Sequence, residues 1–371
     1  MTKKGKIKAL IMAAGYGTRL EPLTLAVPKP MVPIVNKPTM LHNLELLKKH
    51  GIRDIIANIH YHPEQIQNYF GDGEKFGVSL HYSYEEKLLG TAGGVRRMAR
   101  LVDNIDSTFI VLSSDALTDI NLPRMIAFHK KNKALATIAL YPVKDTSQFG
   151  VVLMDKKKKI IGFQEKPKKG EAKSNLVNAG IYILEPEVLD LIPQDKFFDF
   201  GHQVFPELVA SQSAFYGFEM KGFWSDVGSL EQYIYANYEA LRGRVNVQVP
   251  GKKLKARVRI GRNCQVHSGV RIEGDVIIGD RCVVRSGAIL KNAIVGNMSV
   301  IGQGVHLDGS IIWSDTFISH NARISGSVIG NWCLIGESVA VGPNSVIGNR
   351  CLVRPGTEIK AATLLKPNEI V

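Results

Sequence analysis

Along the first 245 residues, short apolar runs alternate with longer stretches whose apolar positions recur every three or four residues. "IKALIMA" (7–13), "RDIIANIH" (53–60), "STFIVLSSD" (107–115) and "ALATIAL" (134–140) have the length and apolar density of buried strands. "TMLHNLELLKKHG" (39–51) places Met40, Leu41, Leu44 and Leu47 at helical spacing, and Gly51 ends that helix. This alternation predicts an α/β domain over 1–245, Rossmann-like, with a mixed, mostly parallel sheet covered by helices. Ligands of such sheets bind beyond the carboxyl ends of the strands, where the turn at Gly15 and Asp115 would both fall.

After about residue 255 the period changes to six. Ile260, Val266, Ile272, Ile278, Val284 and Leu290 open a series that Val295, Ile301, Leu307 and Trp313 continue after a one-residue deletion. Ile335, Val341, Ile347, Val353 and Ile359 close it. A strict six-residue period describes a parallel β-helix of short strands, three hexads to a triangular coil, so that residues 18 apart stack. The expected organisation is a domain over 1–245, a linker over 246–256 and a β-helix over 257–371. Cys264 and Cys282 are 18 apart, as are Cys333 and Cys351, each in the same slot of its hexad. Such stacking predicts buried reduced thiols; zinc ligation would need convergent spacing.

Composition adds little except through charge. The apolar fraction of 45% and charged fraction of 22% are ordinary for a globular protein. No apolar run reaches the roughly 20 residues that span a bilayer, and the basic N-terminus leads directly into a strand, so a membrane role is not expected and the cytoplasm is. A formal charge of +13 calls for anionic partners. The lysines lack the stripe interleaved with aromatics that would suit nucleic acid, and "DKKKKI" (155–160) reads as a solvated hairpin turn. Small phosphorylated substrates fit better.

Candidate chemistry begins at "LIMAAGYGTRLEPLT" (10–24). Its glycine turn lacks the Gly-Lys-Ser/Thr ending of a P-loop, and Leu20 stands where a dinucleotide fingerprint needs its third glycine. Ala13, Ala14, Gly15 and Gly17 are small enough to let consecutive backbone N–H groups approach a phosphate, with a following helix N-terminus adding its positive end. Taken alone, Arg19 would equally serve as a surface cation, Lys29 as a strand-end solvator and Asp115 as a helix cap.

Together, "LIMAAGYGTRLEPLTLAVPKPMVPIVNKP", "EEKLLGTAGGVR", "VLSSD", "GFQEKP", "VNAGIYIL" and "GFWSDVGS" resemble, in order, the signature of sugar-phosphate nucleotidyltransferases. Many members of that family carry a left-handed β-helix of hexapeptide repeats. The resemblance implies transfer of a nucleotidyl group from a nucleoside triphosphate to a sugar 1-phosphate, with release of pyrophosphate and no covalent intermediate. It implies that Ala13, Ala14, Gly15, Gly17, Thr18, Glu85, Gly90 and Thr91 hold the nucleotide. Arg19 and Lys29 would neutralise its phosphates, and Lys166 the sugar phosphate. Gly150, Glu165 and Asn178 would form the sugar pocket. Asp115 and Asp226 would hold Mg2+, as two separated carboxylates commonly do. Ser113 and Ser114 stand where the family usually shows a glycine shortly before that first aspartate.

The segments "FGVV", "EKP", "NAGIYIL" and "GFWSDVG" resemble those of mannose-1-phosphate guanylyltransferases. Glu85 falls where thymidylyl enzymes carry glutamine, and a carboxylate can only accept hydrogen bonds. Guanine offers N1–H and an amine side by side, so GTP and mannose 1-phosphate are expected. Glucose-1-phosphate thymidylyl-, uridylyl- or adenylyltransfer is the alternative. Two further classes differ in kind: a hexapeptide acyltransferase using His267, His306 or His320, and a silent regulatory homologue. The first lacks a long loop inserted in the hexads; the second would have lost the charged residues named above. A homo-oligomer through the β-helix is expected.

Overall fold

Strands β1 (Ala9–Met12), β2 (Asp54–Ile59), β3 (Ser79–Tyr84) and β4 (Phe109–Ser113) lie parallel in the order β3-β2-β1-β4, as the alternating pattern predicts. This arrangement belongs to a computed structural model that describes residues 6–101, 105–147, 149–164, 167–168 and 170–371. The four strands end at one edge of the sheet. There Met12 is level with Asn58 on one side and Ser113 on the other.

Five strands follow in sequence: β5 (Leu117–Thr118) outside this sheet, and then β6 (Ala136–Pro142), β7 (Val151–Met154), β8 (Ile160–Gln164) and β9 (Leu176–Leu184) within it. Strand β9 runs antiparallel to β4, and β6 pairs with β9. Beyond β6 lies β10 (Phe215–Glu219), parallel to it, making nine strands in all. The β7–β8 hairpin turns through the lysine run. Asp155 Oδ1 accepts the amides of Lys157 and Lys159 there, confirming the expected solvated turn. A separate two-stranded ribbon pairs β5 with β11 (Trp224–Ser225).

This half also holds helices α1 (Thr39–Lys49), α2 (Pro63–Phe70), α3 (Gly90–Arg100), α4 (Leu122–Lys131), α5 (Phe205–Ala210) and α6 (Leu230–Leu241). Leu10, Ile56, Val95, Met98, Phe109 and Val111 form one core with an aromatic group of Tyr182, Phe200, Phe205 and Phe215. Each fully buried aliphatic or aromatic side chain there contributes roughly 1.5–3 kcal/mol.

Packing divides the chain into two units, and the division does not follow chain order. Met1–Gly15 with Met40–Asp226 form one unit; Tyr16–Thr39 with Val227–Val371 form the other. In the second unit, three parallel sheets stack into the predicted β-helix. Its inward positions run 278, 284, 290, 295, 301, 307, 312, 318, 324, 329, 335, 341, 347, 353 and 359, all aliphatic. The series thus contains three five-residue steps. The second falls where the sequence reading carried the six-residue period on to Trp313: Ile312, not Trp313, pairs with Val295 and points inward. Because these steps fall at one corner of successive coils, stacked residues there are 17 apart. Part of the expected linker, Lys252–Lys255, is a strand antiparallel to Val258–Ile260.

At one corner of every coil a residue takes the left-handed conformation: Asn263, Arg281, Met298, Asp315, Trp332, Arg350 and Asn368, with φ between 56 and 68°. Side chains there cost on the order of 1 kcal/mol. From Arg281 onward each corner amide offsets this by donating to the coil before it, as Arg281 N does to Arg262 O at 2.8 Å.

Candidate functional site

Strand β1 stops at Met12 because the next amide leaves the ladder. Ala13 N donates to the side chain of Asn58, Oδ1, at 2.6 Å. Ala13 and Ala14 are buried, whereas Gly15 is exposed, with open space where a Cβ would stand. The first unit therefore presents its part of the small-residue turn as bare backbone.

Beside it lies the segment that follows β3. Glu85 is 1% exposed and takes two hydrogen bonds: Asn58 Nδ2 donates to Oε1 at 2.7 Å, and the Leu89 amide donates to Oε2 at 3.0 Å. Each oxygen keeps a lone pair. Gly90 opens α3 with φ 74°, and a Cβ there would stand 2.5 Å from Phe198 O. That carbonyl accepts the amides of Ala92 and Gly93, at 3.0 Å each. Thr91 Oγ1 donates to Asp199 Oδ2 at 2.7 Å and accepts the Phe200 amide at 2.9 Å. Asp199, which sequence reasoning missed, thus fixes the start of α3.

The two aspartates expected to bind metal are brought together by the ribbon. Trp224 pairs with Thr118 and Ser225 with Leu117. Continuing that antiparallel register by one residue sets Asp226 level with Ala116, next to Asp115. Both aspartates are half-buried, and the Ser113 hydroxyl donates to Asp115 Oδ1. The serine at the position that departs from the family pattern therefore orients the carboxylate.

A third cluster joins "VNAG" to "GFWSD". Asn178 Oδ1 accepts the Gly180 amide at 2.9 Å, and its Nδ2 donates to the Tyr182 hydroxyl at 3.1 Å. Trp224 Nε1 donates to Ala179 O at 2.8 Å, and its ring meets Tyr141 and Phe149 at 5.7 and 6.0 Å. Val151 pairs with Val177, so one further step of the register places Gly150 opposite Asn178. Aromatic faces beside amide groups suit the apolar and hydroxyl faces of a sugar. Glu165 and Lys166 lie outside the described residues.

The second unit holds the rest of the turn. Gly17 has φ 73°, and an added Cβ would lie 2.8 Å from Lys29 Cβ, so the loop closes tightly on that lysine. Thr24 Oγ1 donates to Gly17 O at 2.9 Å. Lys29 is 8% exposed, whereas Thr18 and Arg19 are exposed. The expected helix after the loop is only a 3-10 turn, Thr18–Leu20, too short to carry an appreciable dipole. Donors must come from the loop amides themselves.

Anchors of this loop lie within the same unit. Val35 N donates to Asn237 Oδ1 at 2.8 Å, and Asn36 Nδ2 to Val295 O at 2.8 Å. The Tyr233 hydroxyl donates to Pro33 O at 2.9 Å and accepts Trp313 Nε1 at 2.8 Å. These links run from the loop through α6 to the β-helix.

Residues 8–243 match a family described as Nucleotidyl transferase, and 255–359 match one described as EIF2B subunit epsilon LbH domain. The chain belongs to the nucleotidyl transferase family. A UTP–glucose-1-phosphate uridylyltransferase of Synechocystis sp. is 38% identical, over 78% of this nucleotidyl transferase and 82% of that protein. A probable mannose-1-phosphate guanylyltransferase 3 of Oryza sativa subsp. japonica is 37% identical, over 98% of this chain and 100% of that one. Among solved structures, a putative glucose-1-phosphate thymidylyltransferase from Bacillus anthracis in complex with a sucrose aligns with TM-score 0.57 and 26% identity. It covers 66% of this chain and 98% of that one. This nucleotidyl transferase acts on sugar 1-phosphates. No helix among the described residues is long and apolar enough to cross a membrane.

Proposed function

We propose that the protein transfers a guanylyl group from GTP to mannose 1-phosphate, releasing pyrophosphate. The similarity to mannose-1-phosphate guanylyltransferases along both halves of the chain carries this reading. Both substrates are polyanions, so the barrier is charge repulsion and misalignment. The sugar phosphate is already ionised and needs no base. Arg19 grips the departing pyrophosphate, Lys29 neutralises phosphate charge, and the amides of the Ala13–Thr18 turn orient the chain of phosphates. Lys166 holds the sugar phosphate. Asn178, Gly150 and Glu165 fix the sugar so that its phosphate oxygen lies in line with the α-phosphorus.

The ribbon register supports a divalent cation, since it sets two half-buried carboxylates side by side with a serine orienting one. Asp115 and Asp226 would hold Mg2+, whose hard oxygen preference matches them and which would neutralise phosphate charge. Glu85 reads guanine through the lone pairs that Asn58 and Leu89 leave open. The outward Val283, Val300, Phe317 and Leu334 of one β-helix face, the last two exposed, favour association between copies.

Pyrophosphate release should be measured for GTP, UTP, dTTP and ATP with mannose and glucose 1-phosphates. GTP with mannose 1-phosphate is expected to lead in kcat/KM by at least about tenfold. A lead for UTP with glucose 1-phosphate would instead align the chain with the uridylyl relative. Asp115→Asn should abolish turnover with an unchanged melting temperature; near-normal activity would remove the metal assignment.

A further inference from the structure

Asn58 is the one polar side chain in "IIANI" (55–59), a strand otherwise buried on both faces. It is 4% exposed and stands between a group that can only donate and a group that can only accept. The donor is the Ala13 amide, at 2.6 Å; the acceptor is the Glu85 carboxylate, at 2.7 Å. A primary amide is the side chain that satisfies both at once. Aspartate would set two carboxylates against each other, and leucine would leave a buried amide and a buried charge without a partner. Gly94 confirms how closely the contact is built. A Cβ there would stand 2.6 Å from both Asn58 Nδ2 and Glu85 Oε1.

We propose that Asn58 is a positioning residue that couples the phosphate turn to base selection. Its carbonyl pulls the Ala13 amide out of β1 and so sets where the turn begins. Its NH2 holds Glu85 Oε1, while the Leu89 amide holds Oε2, so the carboxylate has one orientation. Displacing Asn58 therefore shifts both the turn that meets the triphosphate and the residue assigned to the base. The second half of this statement rests on the guanine reading of Glu85 given above; the first half does not.

The test separates them by exchanging the two functional groups. In Asn58→Asp the new carboxylate still accepts from Ala13 but repels Glu85. In the double variant Asn58→Asp with Glu85→Gln, the new amide at 85 donates to position 58 and accepts from Leu89, so every bond returns with the charge moved. Binding of tripolyphosphate with magnesium reports the turn without any base, by calorimetry on the full chain. Asn58→Asp is expected to weaken it about tenfold, and the exchange to restore it to within about threefold, as repairing one buried hydrogen-bonded pair should do. The KM for mannose 1-phosphate should stay within about twofold throughout, since Asn58 touches neither the Asn178 nor the Trp224 cluster. Unchanged tripolyphosphate binding in Asn58→Asp, or no recovery in the exchange variant, would overturn the positioning role. The ratio of GTP to UTP affinity in the exchange variant is read separately. Its collapse upholds base reading by the Glu85 charge; its persistence defeats that reading while leaving the positioning of the turn in place.

Discussion

Gly94 and His129 show how single positions convert geometry into measurable quantities. Gly94→Ala drives a methyl group to 2.6 Å from Asn58 Nδ2 and Glu85 Oε1, both buried and hydrogen-bonded, so neither can swing aside. The expected cost is about 1–3 kcal/mol in urea melts, typical of an overpacked core. His129 is buried, with Nδ1 at 2.8 Å from Thr137 Oγ1 and Nε2 at 2.9 Å from Glu185 Oε1. Burial lowers its pKa below the usual 6.5, aided by Lys130 and opposed by Glu185. The unfolded chain then binds the proton more readily, so this residue's contribution is whole above 6.5 and falls as pH drops below it. The urea midpoint should decline from pH 7.5 to 5.5, and less steeply in His129→Gln. The sequence singles out a candidate residue where a motif marks it, as at Asp115 and Asp226, and the ribbon register sets those two side by side. Asn58 was not so marked, because its meaning comes from two partners that lie 45 and 27 positions away. Its only signal was polarity within an apolar strand.

At the scale of elements, the six-residue period was fully legible because inward side chains must be aliphatic in every coil. Its phase near 312 was not: Ile312 and Trp313 are both apolar and both buried, so the period alone cannot choose between them. Trp313 is buried for another reason, its Nε1 bond to Tyr233. The cysteines likewise belong to a longer column than their spacing suggested. Cys264, Cys282, Ser299, Thr316, Cys333 and Cys351 occupy one slot, and each donates to a carbonyl about 15 residues on. All four thiols are free, and burial pushes that of Cys282 up to about 12. In the folded protein only Cys264, half-buried, should react promptly with a thiol reagent; the other three should wait for denaturant. Because serine already fills the slot at 299, Cys282→Ser should cost under about 1.5 kcal/mol, the range of isosteric core changes.

For the whole molecule, the alternation of strands and helices was legible, and so was the change of period. What chain order concealed is that Tyr16–Thr39 is grouped with the β-helix. Local pattern cannot report this, since the anchors at Asn237, Val295 and Trp313 lie about 200–280 positions downstream. A chain ended at 245 loses Val295 O, Trp313, and Asp275, which pairs with Arg242 Nε at 2.6 Å. Such a fragment should fail to bind tripolyphosphate and show no turnover, although the sheet of the first unit keeps its own core. Normal binding by the fragment would show that the loop needs no support from the coils.

Anyone building hybrids with a uridylyl or guanylyl relative must therefore reckon with an N-terminal insert that travels with the tail. Junctions placed between 15 and 16, 39 and 40, and 226 and 227 keep every one of these anchors within a single parent. A simple swap of the last third would instead pair the glycine turn of one ancestor with the coils of another.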